Sequence, residues 1–81
     1  MRYPAIFALA GDGISISFPD LPGCISAAQD IAQARQRAAE ALALYLECSR
    51  QGGDPIPQPS PVAAIEASPG QIVYLVQANE L

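Results

Sequence analysis

At 81 residues the chain has room for one small domain and no second core. Its 51% apolar and 15% charged residues exclude a solvated, disordered chain. Eight acids against four arginines, with no lysine or histidine, give a net charge of −4. That balance excludes the basic footprint of nonspecific nucleic-acid binding and favours a basic partner. A chain this short buries about 60% of its unfolded surface. Much of its apolar content is alanine, with little area to bury, so a second subunit would help to stabilise the core.

The missing histidine removes the commonest general base and the commonest metal ligand together. Cys24 and Cys48 are too few for a four-ligand zinc site. They read as reduced, buried thiols, with a disulfide between them as the alternative. No metal site and no cofactor is therefore expected. The apolar run that follows Arg2 is too short for a secretory signal and has the pattern of a strand. Glu40 and Glu47 interrupt the longest apolar stretches, so no membrane span is expected and the chain reads as cytoplasmic.

The elements follow in chain order. Residues 2–10 read as a strand with Tyr3, Ala5, Phe7 and Leu9 on one face. Pro4 suggests an edge position or a first rung, because proline cannot donate to a ladder. Gly11-Asp12-Gly13 is a turn, and Ile14-Ser15-Ile16-Ser17-Phe18 alternates as the second arm of a hairpin. In Phe18-Pro19-Asp20-Leu21-Pro22-Gly23-Cys24, two prolines fix φ twice and Gly23 allows the chain to return. Residues 24–27 then form a short third strand.

Asp30 suits the N-cap of a helix, with Gln33 placed for a capping-box-like pair. The helix is expected to run to about Arg50. Ile31, Ala34, Ala38, Ala41, Tyr45 and Cys48 mark its inner stripe, with Leu42 beside them, while Gln33, Gln36, Glu40 and Glu47 lie opposite. Gly52-Gly53 ends it, and Arg50 complements the negative end of its dipole. Residues 52–70, with alternating prolines, read as an ordered, extended crossover, the alternative being a proline-rich ligand segment. Ile72-Val73-Tyr74-Leu75-Val76 reads as a strand buried on both faces. The expected fold is α+β: a two-layer β-β-β-α-β arrangement, a three-stranded antiparallel meander plus a C-terminal strand, with one helix packed on the sheet.

The chemistry of catalysis is missing from this pattern. Metal-dependent nucleases bring several carboxylates together from strand interiors, and the first strand has none. Asp12 lies in a turn, Asp20 in the proline loop, and Asp30 is claimed by the cap. Glu40 and Glu47 read as a solvated helix face, and Ser15, Ser17 and Ser26 have no histidine to activate them. Gly11-x-Gly13 is followed by no helix and is not a dinucleotide fingerprint. No catalytic residue is assigned. The segment from Phe18 to Cys24 has two readings: a rigid turn, or a preordered loop presenting Leu21 between prolines with Asp20 available to a basic partner.

Tyr3-Pro4-Ala5, Gly13 and the run Phe18-Pro19-Asp20-Leu21-Pro22-Gly23-Cys24 resemble the HicB-like antitoxin domain. The resemblance continues through Ala38, Glu40-Ala41-Leu42 and Leu44-Tyr45-Leu46, and resumes at Gly53-x-Pro55-Ile56-Pro57-x-Pro59-Ser60. It implies a partly degraded ribonuclease-H-like fold without catalytic acids. It also implies a small, basic, mRNA-cleaving HicA-like toxin as partner, and homo-oligomers, as dimers or larger. Many family members carry a C-terminal DNA-binding domain; here the expectation is a single HicB-like domain over 1–81 without one, and no direct nucleic-acid binding. Arg35 and Arg37 stand where the family usually has acids, which moves expected electrostatic contacts to Asp20 and the later half of the helix.

The expected function is therefore that of an antitoxin which binds and occludes its toxin, and not of an enzyme. A stand-alone homo-oligomeric module without a toxin is the alternative. Phe18, Pro19, Asp20, Leu21, Pro22, Glu40 and Glu47 are the expected partner-binding residues.

Overall fold

The computed structural model describes residues 1–78. Four strands, β1 (Arg2–Ala10), β2 (Gly13–Ser17), β3 (Ile25–Ala28) and β4 (Gln71–Gln77), form one sheet in the order β3-β2-β1-β4. Every neighbouring pair is antiparallel. The helix α1 (Ile31–Gly52) packs on one face, giving the expected two-layer α+β arrangement.

The hairpin between β1 and β2 closes at the Ala10–Gly13 pair through a two-residue turn. Gly11 has φ of 59°, and no non-glycine residue among those described has a positive φ. Positive φ at the first turn position alone is the II′ pattern, whose twist suits adjacent strands. Tyr3, Ala5 and Phe7 of β1, Ile14 and Ile16 of β2, and Val76 of β4 share the core with Ala34, Ala38, Leu42 and Leu46 of the helix. Leu9 does not join them and is exposed, because β4 has already given way to the turn at Gly70 beside it.

Pro4 is not on an edge strand: β1 lies between β2 and β4. The Leu9 N–H donates to the Gly70 carbonyl on the β4 side. Strand alternation turns the nitrogen of Pro4 to the other side, where pairing with β2 stops at Ile6–Ser17. The position that would oppose it is Pro19. The ladder ends where both strands lose a donor.

At the helix start, the Asp30 carboxylate accepts from the Gln33 N–H at 2.8 Å. The Gln33 side chain accepts from the N–H of Gln29, one residue before the position a capping box would use. Gly53, with φ of 71°, supplies the left-handed C-cap. The buried stripe follows Ala34, Ala38, Leu42 and Leu46, joined by Ala43 and Ser49. This stripe is rotated from the one expected from sequence: Ile31 and Cys48 are exposed, and Ala41 and Tyr45 lie on the shoulder. Steps of four hold the two leucines over the sheet, and leucine buries far more apolar area than alanine.

β4 also departs from expectation. It is an edge strand, with Ile72 46% and Leu75 45% exposed on its two faces and only Val76 buried. The helix leans towards the β3 side of the sheet and leaves β4 partly uncovered. The proline-rich crossover is ordered and contains one short 3-10 turn, Val62–Ala64, beside β4.

Candidate functional site

The loop from Phe18 to Cys24 satisfies its own backbone. Leu21 N–H donates to the Phe18 carbonyl and Cys24 N–H to the Leu21 carbonyl, both at 3.0 Å. Phe18 N–H donates to the Cys24 carbonyl at 3.2 Å, extending the β2–β3 ladder by one rung. Two successive turns thus sit on a closed base, and Gly23 with φ of 85° makes the reversal. Phe18 and Leu21 point into the core, Leu21 being 1% exposed. Pro19, Pro22 and Gly23 form the outer surface of the loop.

Asp20 is half-buried and engaged within the fold. Its two carboxylate oxygens accept from the Ser60 N–H at 2.8 Å and the Ser60 hydroxyl at 2.6 Å. The Tyr3 hydroxyl donates to the Pro57 carbonyl at 2.6 Å, so the crossover is tethered twice. Burial, and then the nearby Asp20 carboxylate, raise the Tyr3 pKa above its ordinary value.

The loop meets the helix through the Tyr45 hydroxyl, which donates to the Pro22 carbonyl at 3.0 Å. Beneath it lies Cys24, whose thiol donates to the Ala41 carbonyl at 3.7 Å. Burial pushes the Cys24 thiol from its ordinary 9.0 up to about 11. Both cysteines are free; Cys24 is buried as expected, whereas Cys48 is exposed.

Between loop and helix runs a shallow groove of about 280 Å³, lined by Gly23, Cys24, Ile25, Leu44, Tyr45 and Cys48. Ile25 at 71% and Leu44 at 63% are the most exposed large aliphatic side chains of the described residues. Glu40, Leu44 and Glu47 share one side of the helix by their spacing of four and three. The groove therefore has an apolar centre with carboxylates on its helical rim. Glu40 is exposed; Glu47 pairs with Arg50 at 3.5 Å and accepts from Gln51 at 3.2 Å.

Of the residues expected from sequence, Pro19, Pro22 and Glu40 are exposed, Glu47 and Asp20 are half-buried, and Phe18 and Leu21 are buried. None of the seven lines the groove itself, and Pro22 borders it through its contact with Tyr45. Ile25 and Leu44, which line the groove, are absent from the residues expected there. Leu44 is two residues from both Leu42 and Leu46, so it cannot share their buried face, and that spacing was the available signal. Among the described residues, no group of three or more Cys, Asp or Glu side chains is arranged to hold a metal ion. No helix there is long and apolar enough to cross a membrane.

Fold and surface together define a small module of one four-stranded antiparallel sheet and one helix, with an apolar groove beside the loop. The family described as "HicB_like antitoxin of bacterial toxin-antitoxin system" matches residues 3–79, and the chain belongs to that family. It is 32% identical over 62 residues to the "Uncharacterized 14.9 kDa protein in rep-hol intergenic region" of Haemophilus phage HP1 (strain HP1c1). That match covers 76% of the chain and 47% of the relative, so the chain spans about half the length of the curated relative.

Among solved structures, a chain of a HicA3 and HicB3 toxin-antitoxin complex superposes with a TM-score of 0.82 at 28% identity, over 99% of this chain and 100% of that one. The antitoxin HicB3 crystal structure gives 0.76 at 29%, over 98% of this chain and 62% of that one. The N-terminal domain of Burkholderia pseudomallei antitoxin HicB gives 0.80 at 24%, over 99% and 100%, a likeness of fold.

Proposed function

We propose that the chain acts as an antitoxin that binds a small, basic, HicA-like ribonuclease and blocks it by occlusion, without catalysing a reaction itself. The observation that carries this reading is the family match along residues 3–79, supported by the likeness to a chain taken from a toxin-antitoxin complex. The net charge of −4 favours encounter with a basic protein. It disfavours direct binding to nucleic acid.

The groove between loop and helix is the surface proposed to receive the toxin. Leu44 and Ile25 would supply apolar contact, Pro19 and Pro22 a rigid wall, and Glu40 and Glu47 the charge. A wall already held by hydrogen bonds loses little entropy on binding. Phe18, Asp20 and Leu21 would contribute by holding that wall in place. Self-association, which would add apolar burial to a core rich in alanine, belongs to the same proposal.

Calorimetry with a HicA-like protein as the probe tests the surface. The expected result is tight binding that Leu44→Glu weakens at least tenfold while the circular dichroism spectrum stays unchanged. Undiminished binding by Leu44→Glu would remove the groove from the contact.

A further inference from the structure

We infer that β4 is the self-association surface, pairing antiparallel with β4 of a second copy about a two-fold axis at Tyr74. This rests on the self-association proposed above and assigns it a place. β4 is an edge of the sheet. Its ladder to β1 includes donation from Leu9 N–H to the Gly70 carbonyl and from Ala78 N–H to the Met1 carbonyl. Alternation then turns the backbone groups of Ile72, Tyr74 and Val76 towards β1, and those of Val73 and Leu75 outward.

Nothing in the strand guards that edge. Gln71–Gln77 is seven residues without a charge or a proline, and its register with β1 runs without a bulge. Charges, prolines and bulges are the usual protections of an exposed edge. The opposite edge, β3, is only four residues long.

The strand is also complementary to itself. Reversed about Tyr74, Gln71 meets Gln77, Ile72 meets Val76, and Val73 meets Leu75. Val73 and Leu75 both present outward N–H and carbonyl groups, so each such pair exchanges two backbone hydrogen bonds across the seam. Tyr74 meets its own copy as a non-hydrogen-bonded pair. The Tyr74 ring is already fixed, stacked on Phe7 at 5.4 Å with Arg35 4.7 Å above it. A shift by one residue sets outward groups against inward ones. A shift by two brings glutamine against an apolar side chain.

Each copy carries −4, and the strand itself brings no carboxylate to the seam. The charges nearest to it are Arg35, over the Tyr74 ring, and Arg2, whose Nε donates to the Gln77 side chain. Pairing along about 24 Å of strand covers less than the roughly 800 Å² per partner of a standard interface. The dimer is consequently reversible and depends on concentration.

Sedimentation velocity over about a hundredfold concentration range, with amide exchange followed by NMR, tests this. At high concentration the expected species is a dimer in which Val73 and Leu75 amides are protected; on dilution these two exchange rapidly while those of Ile72, Tyr74 and Val76 stay slow. Leu75→Lys, at a half-exposed position, should raise the dissociation constant at least tenfold and leave the fold intact by circular dichroism. A wild-type chain monomeric throughout overturns both self-association and this seam. A dimer indifferent to Leu75→Lys, with Val73 and Leu75 still exchanging rapidly, overturns the β4 assignment and leaves self-association to another face.

Discussion

The Asp20 carboxylate takes both donors of Ser60 across forty residues of sequence. Asp20→Ala leaves those donors without their acceptor and frees the crossover; the expected loss is about 1–3 kcal/mol in urea unfolding. Ser60→Ala, which keeps the backbone donor, should cost less. The two thiols differ as sharply. Cys48 should alkylate in the native protein and Cys24 only on unfolding, as mass spectrometry after brief iodoacetamide treatment would record.

Because the folded Cys24 pKa of about 11 exceeds its ordinary 9.0, the folded state holds its proton where the unfolded state has lost it. The associated stability is fully present below pH 9 and is lost as pH rises through 11. The raised Tyr3 pKa acts in the same direction, its stability present below the ordinary 10.0 and lost above it. Cys24→Ala should flatten the decline between these limits in unfolding curves. The Asp30 cap was legible from local spacing, whereas the Asp20–Ser60 pair was not, since no periodicity links a turn aspartate to a serine in a proline-rich crossover.

At the level of elements, α1 separates its leucines by role. Leu42 is wholly buried against the sheet and Leu44 stands in solvent. Leu42→Ala should cost about 2–5 kcal/mol and Leu44→Ala within about 0.5 kcal/mol, a contrast readable in parallel denaturant titrations. The helix, its caps and the hairpin were all visible in the sequence because each depends on neighbours within a turn or two. The phase of the inner stripe was not, because alanines on either side of Leu42 satisfy a helical period equally well. The apolar run of β4 reads as doubly buried for a related reason: an edge strand and a strand enclosed on both faces can have the same composition.

On the scale of the whole molecule, the groove lies on the β3 side of the sheet and β4 forms the opposite edge. The two proposed contacts therefore do not compete, and a dimer would present two grooves. They should respond oppositely to salt. Attraction between a chain of −4 and a basic toxin weakens as salt screens it, while repulsion between two copies of −4 is relieved. Calorimetry for the toxin and sedimentation for the dimer, across a series of ionic strengths, should give slopes of opposite sign. The family was legible at once from Phe18–Cys24, but the surfaces were not, because they arise where β3 meets the helix and where β4 ends the sheet.

The antitoxin reading is tested most directly by an RNA-cleavage assay with a HicA-like ribonuclease. Cleavage should fall to background as the chain reaches one equivalent of the toxin, and Leu44→Glu should need a large excess for the same effect. Full cleavage in the presence of excess folded chain would contradict the account.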